Sequence, residues 1–287
     1  MKKLVYSKAI KTLCLGIILG TSMNGIAQTA PPVTEKLIPY GDFNSWMVRI
    51  IDESFVIGGN TKILYEVAPV DTIRGAVPYN SSPVSPWRTS NVMAKVSGVT
   101  KCSISVFPEK RGDGQCVRLE TLMENCKVLG LVNITVLVPG TIYLGEMLEP
   151  IKDTKNPQSK LNAGIPFTET PKAVVLDYKM YIPETDHRIK ATGFSKIVDV
   201  PGRDSAEIYV ILQKRWEDAN GNVFAKRVGT VVERISETNP DWVNNHRLEI
   251  LYGDATGQPG YKPFMQSPKS NPSIASTAKA NPYLSRK

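Results

Sequence analysis

Six side chains of the sequence have the chemistry to hold a sugar. They are Trp87, Asp177, Tyr181, Tyr209, Gln213 and Arg215. Sugars bind by stacking their C–H faces on aromatic rings, while planar carboxylate, amide and guanidinium groups exchange paired hydrogen bonds with the hydroxyl groups. All but Trp87 fall in two short stretches, so they would share one surface if those stretches were neighbouring strands, with Trp87 at the rim. The alternative is an ordinary solvated sheet face, with Trp87 packed over the end of the core.

Alternating polarity predicts that both stretches are β-strands. Between residues 172 and 183, apolar side chains occupy every second position and polar side chains occupy most of the others. The stretch 206–216 repeats the pattern, with Lys214 as the single polar residue on its apolar face. A period of two is typical of a strand with one buried face. Asn220-Gly221 then favours a tight hairpin turn with two positive φ angles, before a returning strand at 223–232.

The rest of the chain is predicted to be β as well. Further strand patterns cover 100–107, 115–122, 131–138, 141–144 and 243–252. Turn-forming residues predict loops at Val77–Trp87 and Pro108–Gly114, and polar residues with prolines predict a surface loop at 146–163. No part of the sequence sustains the helical period of about 3.6 residues. The expected fold is all-β, a sandwich of antiparallel sheets such as a jelly roll, in one domain covering residues 36–265.

Three tryptophans lie near or in the predicted strands. Trp46 and Trp216 each have apolar neighbours, which predicts that both rings fill the core. Trp242 follows Pro240, and its environment is not determined by the sequence.

The N-terminus predicts export. In residues 1–27, four lysines precede an apolar run at 12–23, and Gly25-Ile26-Ala27 offers the small residues that a signal peptidase reads. The apolar run is shorter than the roughly 20 residues that span a bilayer, so a cleaved signal is expected rather than a transmembrane anchor. The mature protein would then reside in the periplasm, at the cell surface or outside the cell. Composition predicts a flexible leader at 28–35 and a disordered tail at 266–287.

The positive net charge lies at the two ends of the chain. Without the four lysines of the signal the net charge falls from +8 to +4, and five further positive charges follow Asp254, the last acidic residue. The region between is therefore close to minus one. Nucleic-acid binding requires a clustered basic surface on the folded domain, so nucleic acid is not an expected partner.

The cysteines and histidines do not indicate a metal or redox site. Cys102, Cys116 and Cys126 follow the signal, and an odd number leaves at least one thiol unpaired, with the pairing undetermined by sequence. Their spacing fits neither a zinc motif nor Cys-x-x-Cys. The only two histidines, His187 and His246, fall in a polar loop and a strand pattern. No cofactor is predicted.

One turn has part of the residue pattern of a calcium-binding loop. Asp218, Asn220 and Asn222 have the alternate spacing of a calcium loop, but the glutamate expected further along is absent. Asn-Gly already explains this turn, and a structural calcium elsewhere stays open.

Several motifs resemble a known family. Gly41-Asp42-Phe43 with Trp46 resembles the opening strand of carbohydrate-binding jelly rolls, and Arg111-Gly-Asp-Gly114 leading into 116–120 resembles their second signature. Further segments are similar to the putative carbohydrate metabolism domain (PCMD) family: Gly164–Thr168, Pro171-Lys172, Asp177-Tyr178, Gln213–Asp218 and Gly221-Asn222. The resemblance covers most of 38–265. It implies a jelly roll, export and glycan binding or processing, with no established catalytic residues to transfer.

The chain departs from that family at its end. The family closes with a strand of the form Trp-x-Asp-Asn/Asp-Val beside the opening strand, and nothing similar follows Met265. A missing strand would leave an open sheet edge near Leu37–Trp46, through which two chains could associate.

Together these features predict an exported protein that binds a glycan or polysaccharide without cleaving it. One alternative is a glycoside hydrolase or lyase, which needs two carboxylates at a defined separation. The residues nominated for that pair are Glu120, Glu207, Glu217 and Asp218. A second alternative is a structural or adhesive cell-surface component that associates through the open edge.

Overall fold

The computed structural model describes residues 34–79, 82–128, 132–152, 161–193 and 196–266. The predicted signal at 1–27, most of the leader and the tail from 267 lie outside these ranges. Within them the regular secondary structure is almost entirely β-strand, and two single turns of 3-10 helix cover Phe55–Ile57 and Pro263–Met265. No helix in these ranges is long and apolar enough to cross a membrane. The all-β prediction is therefore confirmed, while the more specific jelly-roll topology stays a prediction.

The strands are numbered in chain order. The first ten are β1 (Trp46–Asp52), β2 (Thr61–Val67), β3 (Thr72–Arg74), β4 (Trp87–Thr89), β5 (Val92–Val96), β6 (Val99–Ser103), β7 (Val106–Arg111), β8 (Gly114–Leu119), β9 (Leu122–Val128) and β10 (Val132–Val138). The others are β11 (Ile142–Met147), β12 (Leu161–Ala163), β13 (Ala173–Met180), β14 (His187–Lys190), β15 (Thr192–Gly193), β16 (Val198–Pro201), β17 (Ala206–Glu217), β18 (Val223–Ile235), β19 (Asn239–Glu249) and β20 (Leu251–Tyr252). They belong to one compact unit that begins at Leu37, and the domain boundaries at 36 and 265 stay a prediction.

The strands pair in small, mostly antiparallel sheets. The orders are β2-β1-β3, β12-β11-β4, β15-β10-β9 and β17-β18-β20, with pairs β5-β6, β7-β8, β13-β19 and β14-β16. Strand β1 pairs with β2 along its whole length and runs parallel to β3 over Val48–Ile50. The open edge predicted near Leu37–Trp46 is therefore wrong, because β1 is the central strand of its sheet. The sequence did not reveal β3, which has only three residues.

The N-terminal sheets enclose an apolar core. Ile51, Leu64, Met93 and Cys102 form one fully buried cluster. Trp46, Val67 and Val106 form a second one, against which Tyr65 and Trp87 pack. Trp46 is only 6% exposed, which confirms that its ring fills the core.

A buried ion network lies beside this core. Arg49, 1% exposed, donates from Nη1 to Glu66 Oε1 at 3.1 Å and to Glu149 Oε1 at 3.0 Å. Glu149 also accepts the backbone N–H groups of Tyr79 and Met93, each at 2.9 Å. The segment containing Glu149 was predicted to be a surface loop, and this prediction is wrong because its carboxylate ties three parts of the chain together.

The C-terminal sheets form a separate core. Val231, Leu248 and Ile250 are buried at its centre. The apolar residues of β13 and β17 pack against them: Val174, Leu176, Ile208, Val210 and Leu212. Strand β13 is bonded to β19, whereas β17 is bonded to β18. The two predicted strands thus face each other across a core from different sheets.

Three local predictions also need correction. The pattern at 100–107 is two strands, β6 and β7, and β7 continues through most of the predicted loop at Pro108–Gly114. In the turn at 218–222 only Gly221 has a positive φ, 77°, so the connection is a longer loop than a two-residue Asn-Gly turn. Trp216 was predicted to be a core residue and is 46% exposed, because the covering sheet ends before it.

We expect the buried network to make stability depend on pH. Burial raises the pKa of Glu66 to about 8, although Arg49 opposes this shift, so the folded chain keeps a proton that the unfolded chain loses near 4.5. The free energy of unfolding should therefore be highest at acid pH as far as this group is concerned, and should fall as the pH rises through the interval up to about 8. Glu66→Gln cannot titrate and should flatten this decline.

Urea denaturation of both proteins across this pH interval measures the effect. Glu237→Gln removes an exposed carboxylate, 72% accessible, and serves as the matched control that should keep the wild-type profile. Parallel profiles for Glu66→Gln and wild type would contradict the assignment of the proton to Glu66.

Candidate functional site

The six sequence-predicted residues do not form one surface. Asp177 lies on the outer side of β13, with Tyr181 just beyond the strand, whereas Tyr209, Gln213 and Arg215 lie on the outer side of β17. The inner faces of these strands meet in one core, so their polar faces point away from each other. The predicted grouping of these residues is therefore wrong, because burial of both apolar faces separates the two polar ones.

Asp177 joins the two halves of the chain. Arg111 Nη2, at the end of β7, donates to Asp177 Oδ2 at 2.6 Å and to Asn244 Oδ1 at 2.8 Å. The Arg111 guanidinium carbon lies 3.8 Å from the centre of the Trp242 ring. Asp177 Oδ1 accepts the backbone N–H of Asn245 at 2.7 Å. The Asn245 N–H and then Arg111 lower the pKa of Asp177, so this carboxylate is held by the protein itself.

Trp87 closes the end of the N-terminal core. Its Nε1 donates to the Pro39 carbonyl at 2.9 Å, and its ring meets Phe43 edge to face at 5.2 Å between centroids. This arrangement matches the alternative considered from the sequence, in which Trp87 packs over the end of the sandwich.

Gln213 and Arg215 hold each other and a neighbouring strand. Arg215 Nε donates to Gln213 Oε1 at 3.0 Å, and Arg215 Nη2 donates to the Ala163 carbonyl at 3.2 Å. Tyr181 and Tyr209 are 79% and 57% exposed. Their ability to stack on a sugar stays a prediction.

An open groove lies beside β1 in the part of the chain that the structure describes. Its volume is about 850 Å³. The lining residues are Asn44, Trp46, Val48, Tyr65, Val70, Pro108, Lys110, Asp113, Gly114 and Gln115. Val48 and Tyr65 are direct partners on β1 and β2, so their side chains share the groove floor. The volume falls in the range of small-ligand sites. The lining is mixed, with apolar side chains on the floor and polar side chains in about half of the lining positions.

The β7–β8 hairpin positions the polar wall of the groove. Lys110 and Gln115 are opposite partners in the hairpin. The backbone N–H of Gln115 donates to Asn44 Oδ1 at 2.7 Å. A Cβ at Gly114 would lie 2.5 Å from that oxygen, so a glycine is required for this approach. Sequence reasoning singled out both segments as signatures but missed Tyr65 and Gln115, because spacing along the chain does not show that they meet.

The groove offers one carboxylate, Asp113, among its described lining residues. Glycoside hydrolysis uses two. The carboxylates nominated for that pair lie elsewhere: Glu120 contacts Arg118, Glu207 accepts from Arg234 Nε at 2.8 Å, and Asp218 is held in its own loop. Glu217 is exposed at the end of β17. The arrangement can therefore bind a polar ligand, while a hydrolytic pair is not assembled in this lining.

The cysteines and histidines do not form a reactive site in the described residues. Cys102 and Cys116 are both free thiols, and burial raises the pKa of each. The side chains of Cys126 and His187 lie outside the described part. His246 Nε2 contacts Glu233 Oε2 at 2.6 Å. No group of three or more metal-ligating side chains occurs within the described ranges.

We expect Arg111 and Asp177 to be energetically coupled. Both side chains are about one-third exposed, 32% and 31%, so the coupling energy should be modest, about 1 kcal/mol. Urea denaturation of Arg111→Ala, Asp177→Ala and the double variant measures it. The Arg203–Glu237 pair, whose carboxylate is 72% exposed, is the control and should show weaker coupling. Additive effects at positions 111 and 177 would contradict a direct link between the two halves.

The comparisons agree with the resemblance drawn from the motifs. Residues 61–264 match the family described as putative carbohydrate metabolism domain. The matched span includes most of the groove wall and the whole C-terminal core. No curated protein and no solved structure matches this chain. Because the match covers well over half of the sequence, the chain belongs to the putative carbohydrate metabolism domain (PCMD) family.

Proposed function

We propose that this protein is exported and binds carbohydrate in the groove beside β1 without cleaving it. One observation supports this function above the others: the groove places the ring of Tyr65 next to the planar polar side chains of Asn44 and Gln115. The description of the family, putative carbohydrate metabolism domain, supports a carbohydrate-related role. The ligand would be a glycan or polysaccharide.

The groove floor suits the weakly polar faces of a sugar ring. Tyr65 is half-buried, packs against the Trp46–Val67–Val106 cluster and lies 6.4 Å from the Phe107 ring. A ring that is already held in place loses little conformational entropy when a ligand stacks on it. The exposed remainder of Tyr65 can therefore act as a stacking surface at low entropic cost.

The groove walls suit the hydroxyl groups. Gln115 and Lys110 supply donors, and Asp113 supplies a carboxylate acceptor at the turn of the hairpin. Amide and carboxylate groups can each bind two neighbouring hydroxyl groups, which gives orientation as well as affinity. With one carboxylate in the lining, binding is favoured over hydrolysis.

The proposed location is the periplasm, the cell surface or the medium. This follows from residues 1–27, where lysines, an apolar run and Gly25-Ile26-Ala27 have the order of a secretory signal. The free thiol of Cys102 is buried and that of Cys116 is partly buried.

We expect the exported protein to begin at Gln28. Expression of the full chain in a bacterium, followed by intact-mass measurement of the periplasmic fraction, should give the mass lacking residues 1–27. A cytoplasmic product that keeps those residues would contradict export. Replacing Ala27 by a bulky residue should block processing and provides the control.

We expect Tyr65→Ala to weaken glycan binding by roughly tenfold or more, since removal of a central aromatic contact typically costs about 2 kcal/mol. A glycan array identifies ligands, and calorimetry then measures affinity. Gln115→Ala should also weaken binding without removing core packing. Tyr181→Ala and Tyr209→Ala remove exposed rings outside the groove and serve as matched controls.

The outcomes separate the alternatives. Binding lost in Tyr209→Ala but retained in Tyr65→Ala would move the site to the sheet face predicted from the sequence. Release of reducing ends that stops in Asp113→Asn would show catalysis instead. Self-association without any glycan binding would favour a structural or adhesive role.

A further inference from the structure

The β17–β18 hairpin extends a pair of aromatic rings beyond the C-terminal core. Trp216 and Phe224 are direct partners in the hairpin, with ring centroids 5.7 Å apart and an interplanar angle of 14°. They are 46% and 42% exposed. A ligand that covered both rings would remove their apolar area from water, which is favourable by about 25 cal/mol per Å².

Trp216 lies on the same face of β17 as the residues that pack on the C-terminal core. It lies beyond the point where other strands cover that face. Leu212 is the last residue on this face that packs on the core. Strand β20 pairs with β18 only at Gly229 and Thr230, opposite that point. Within the described ranges, the rings of Trp216 and Phe224 belong to no buried cluster.

The hairpin end is held firmly from its other side. Asp218 accepts from the Asn220 N–H at 2.9 Å and from the Asn222 N–H and Nδ2 at 2.8 Å each, which fixes the loop. Arg215 reaches the Ala163 carbonyl, and Arg227 Nη1 donates to the Met265 carbonyl at 2.9 Å. The aromatic pair is therefore presented on a supported hairpin, and not on a loose loop.

Two lysines flank the rings on the same face. Lys214 and Lys226 are direct partners in the hairpin. Each lies two residues from the ring on its own strand, a distance of about 7 Å. Both side chains are exposed, and no ion pair of either lysine occurs among the described residues. Like charges directly opposite each other destabilise a sheet. An anion placed between them would relieve this repulsion.

We propose that this face, the hairpin platform (Trp216, Phe224, Lys214 and Lys226), binds an acidic polysaccharide. A sugar ring stacks on the aromatic pair, and the two ammonium groups hold a carboxylate or sulfate group of the neighbouring unit. The aromatic pair alone would accept a neutral sugar, so the lysines provide the preference for acidic polymers. The platform shares no residue with the groove beside β1, and it does not depend on the function proposed for that groove.

Binding to polygalacturonate, dextran sulfate and neutral dextran tests the proposal, using affinity electrophoresis and calorimetry on the mature chain. Wild type should bind at least one acidic polymer and bind dextran much more weakly. Comparison of the two acidic polymers distinguishes carboxylate from sulfate. Because the contact with the lysines is exposed, affinity should fall as salt concentration rises.

Variants assign the binding to the platform. Trp216→Ala and the double variant Lys214→Gln/Lys226→Gln should each weaken binding of the acidic polymer by roughly tenfold. Tyr209→Ala and Lys95→Gln/Lys172→Gln remove an exposed ring and two exposed lysines elsewhere and should bind as wild type. Unfolding temperatures close to wild type confirm that the variants are folded.

Three results would overturn the proposal. One is equal binding by Trp216→Ala and wild type. Another is loss of acidic-polymer binding in Tyr65→Ala while Trp216→Ala binds normally, which would assign the polymer to the groove. The third is a dimer in sedimentation velocity that Trp216→Ala dissociates, with no polymer binding, which would make the platform an interface between copies of the chain. If Tyr65→Ala changes the binding of no ligand, the proposal for the groove is contradicted and the proposal for the hairpin platform is unaffected.

Discussion

Packing of β13 and β17 on a shared core is the constraint on which the arrangement of surfaces depends. Each strand has one apolar face, and both faces are buried against Val231, Leu248 and Ile250. A strand cannot bury one face without sending its alternate residues the other way. The polar rows that contain Asp177 and Tyr209 are therefore separated by the thickness of two sheets, and a binding surface must be found elsewhere.

The β7–β8 hairpin connects the groove to the C-terminal sheets. Alternate residues of this hairpin point in opposite directions: Lys110 lines the groove, while Arg111 reaches Asp177 and Trp242. The residue that lines the groove and the residue that binds Asp177 are thus neighbours in β7. On the β1 side the hairpin is also attached, through the Asn44–Gln115 hydrogen bond and through Val106, which is buried in the Trp46 cluster. The groove wall is therefore held from both sides.

The sequence predicted the strands better than their partners. The period of two located β13 and β17 to within a few residues, because burial of one face is a local property of the pattern. Pairing and facing are set by distant contacts, and no local signal distinguished neighbours in one sheet from strands on opposite sides of a core. Glu149 shows the same limit: its segment is polar and proline-containing, yet its carboxylate is buried because Arg49, one hundred residues away, needs a partner.

Some of the site was nevertheless visible in the sequence. The opening segment at 41–46 and the turn at 111–114 were recognised by resemblance, and the structure brings them together through Asn44 and Gln115. Lys214 carried a further signal. A single charge in the apolar row of β17 indicates where the strand leaves its core, and Trp216, two residues later, is exposed for that reason.

Both proposed binding surfaces lie where the apolar face of a strand extends beyond the strands that cover it. In the groove this face runs from the buried Trp46 to the half-exposed Val48, and in the hairpin it runs from Leu212 to Trp216. Apolar atoms at such positions remain in contact with water until a ligand covers them, so the free energy of covering them is available for binding. The polar groups beside these apolar residues then determine which ligand binds. Amides and a carboxylate suit hydroxyl groups in the groove, whereas paired lysines suit acidic groups on the hairpin platform.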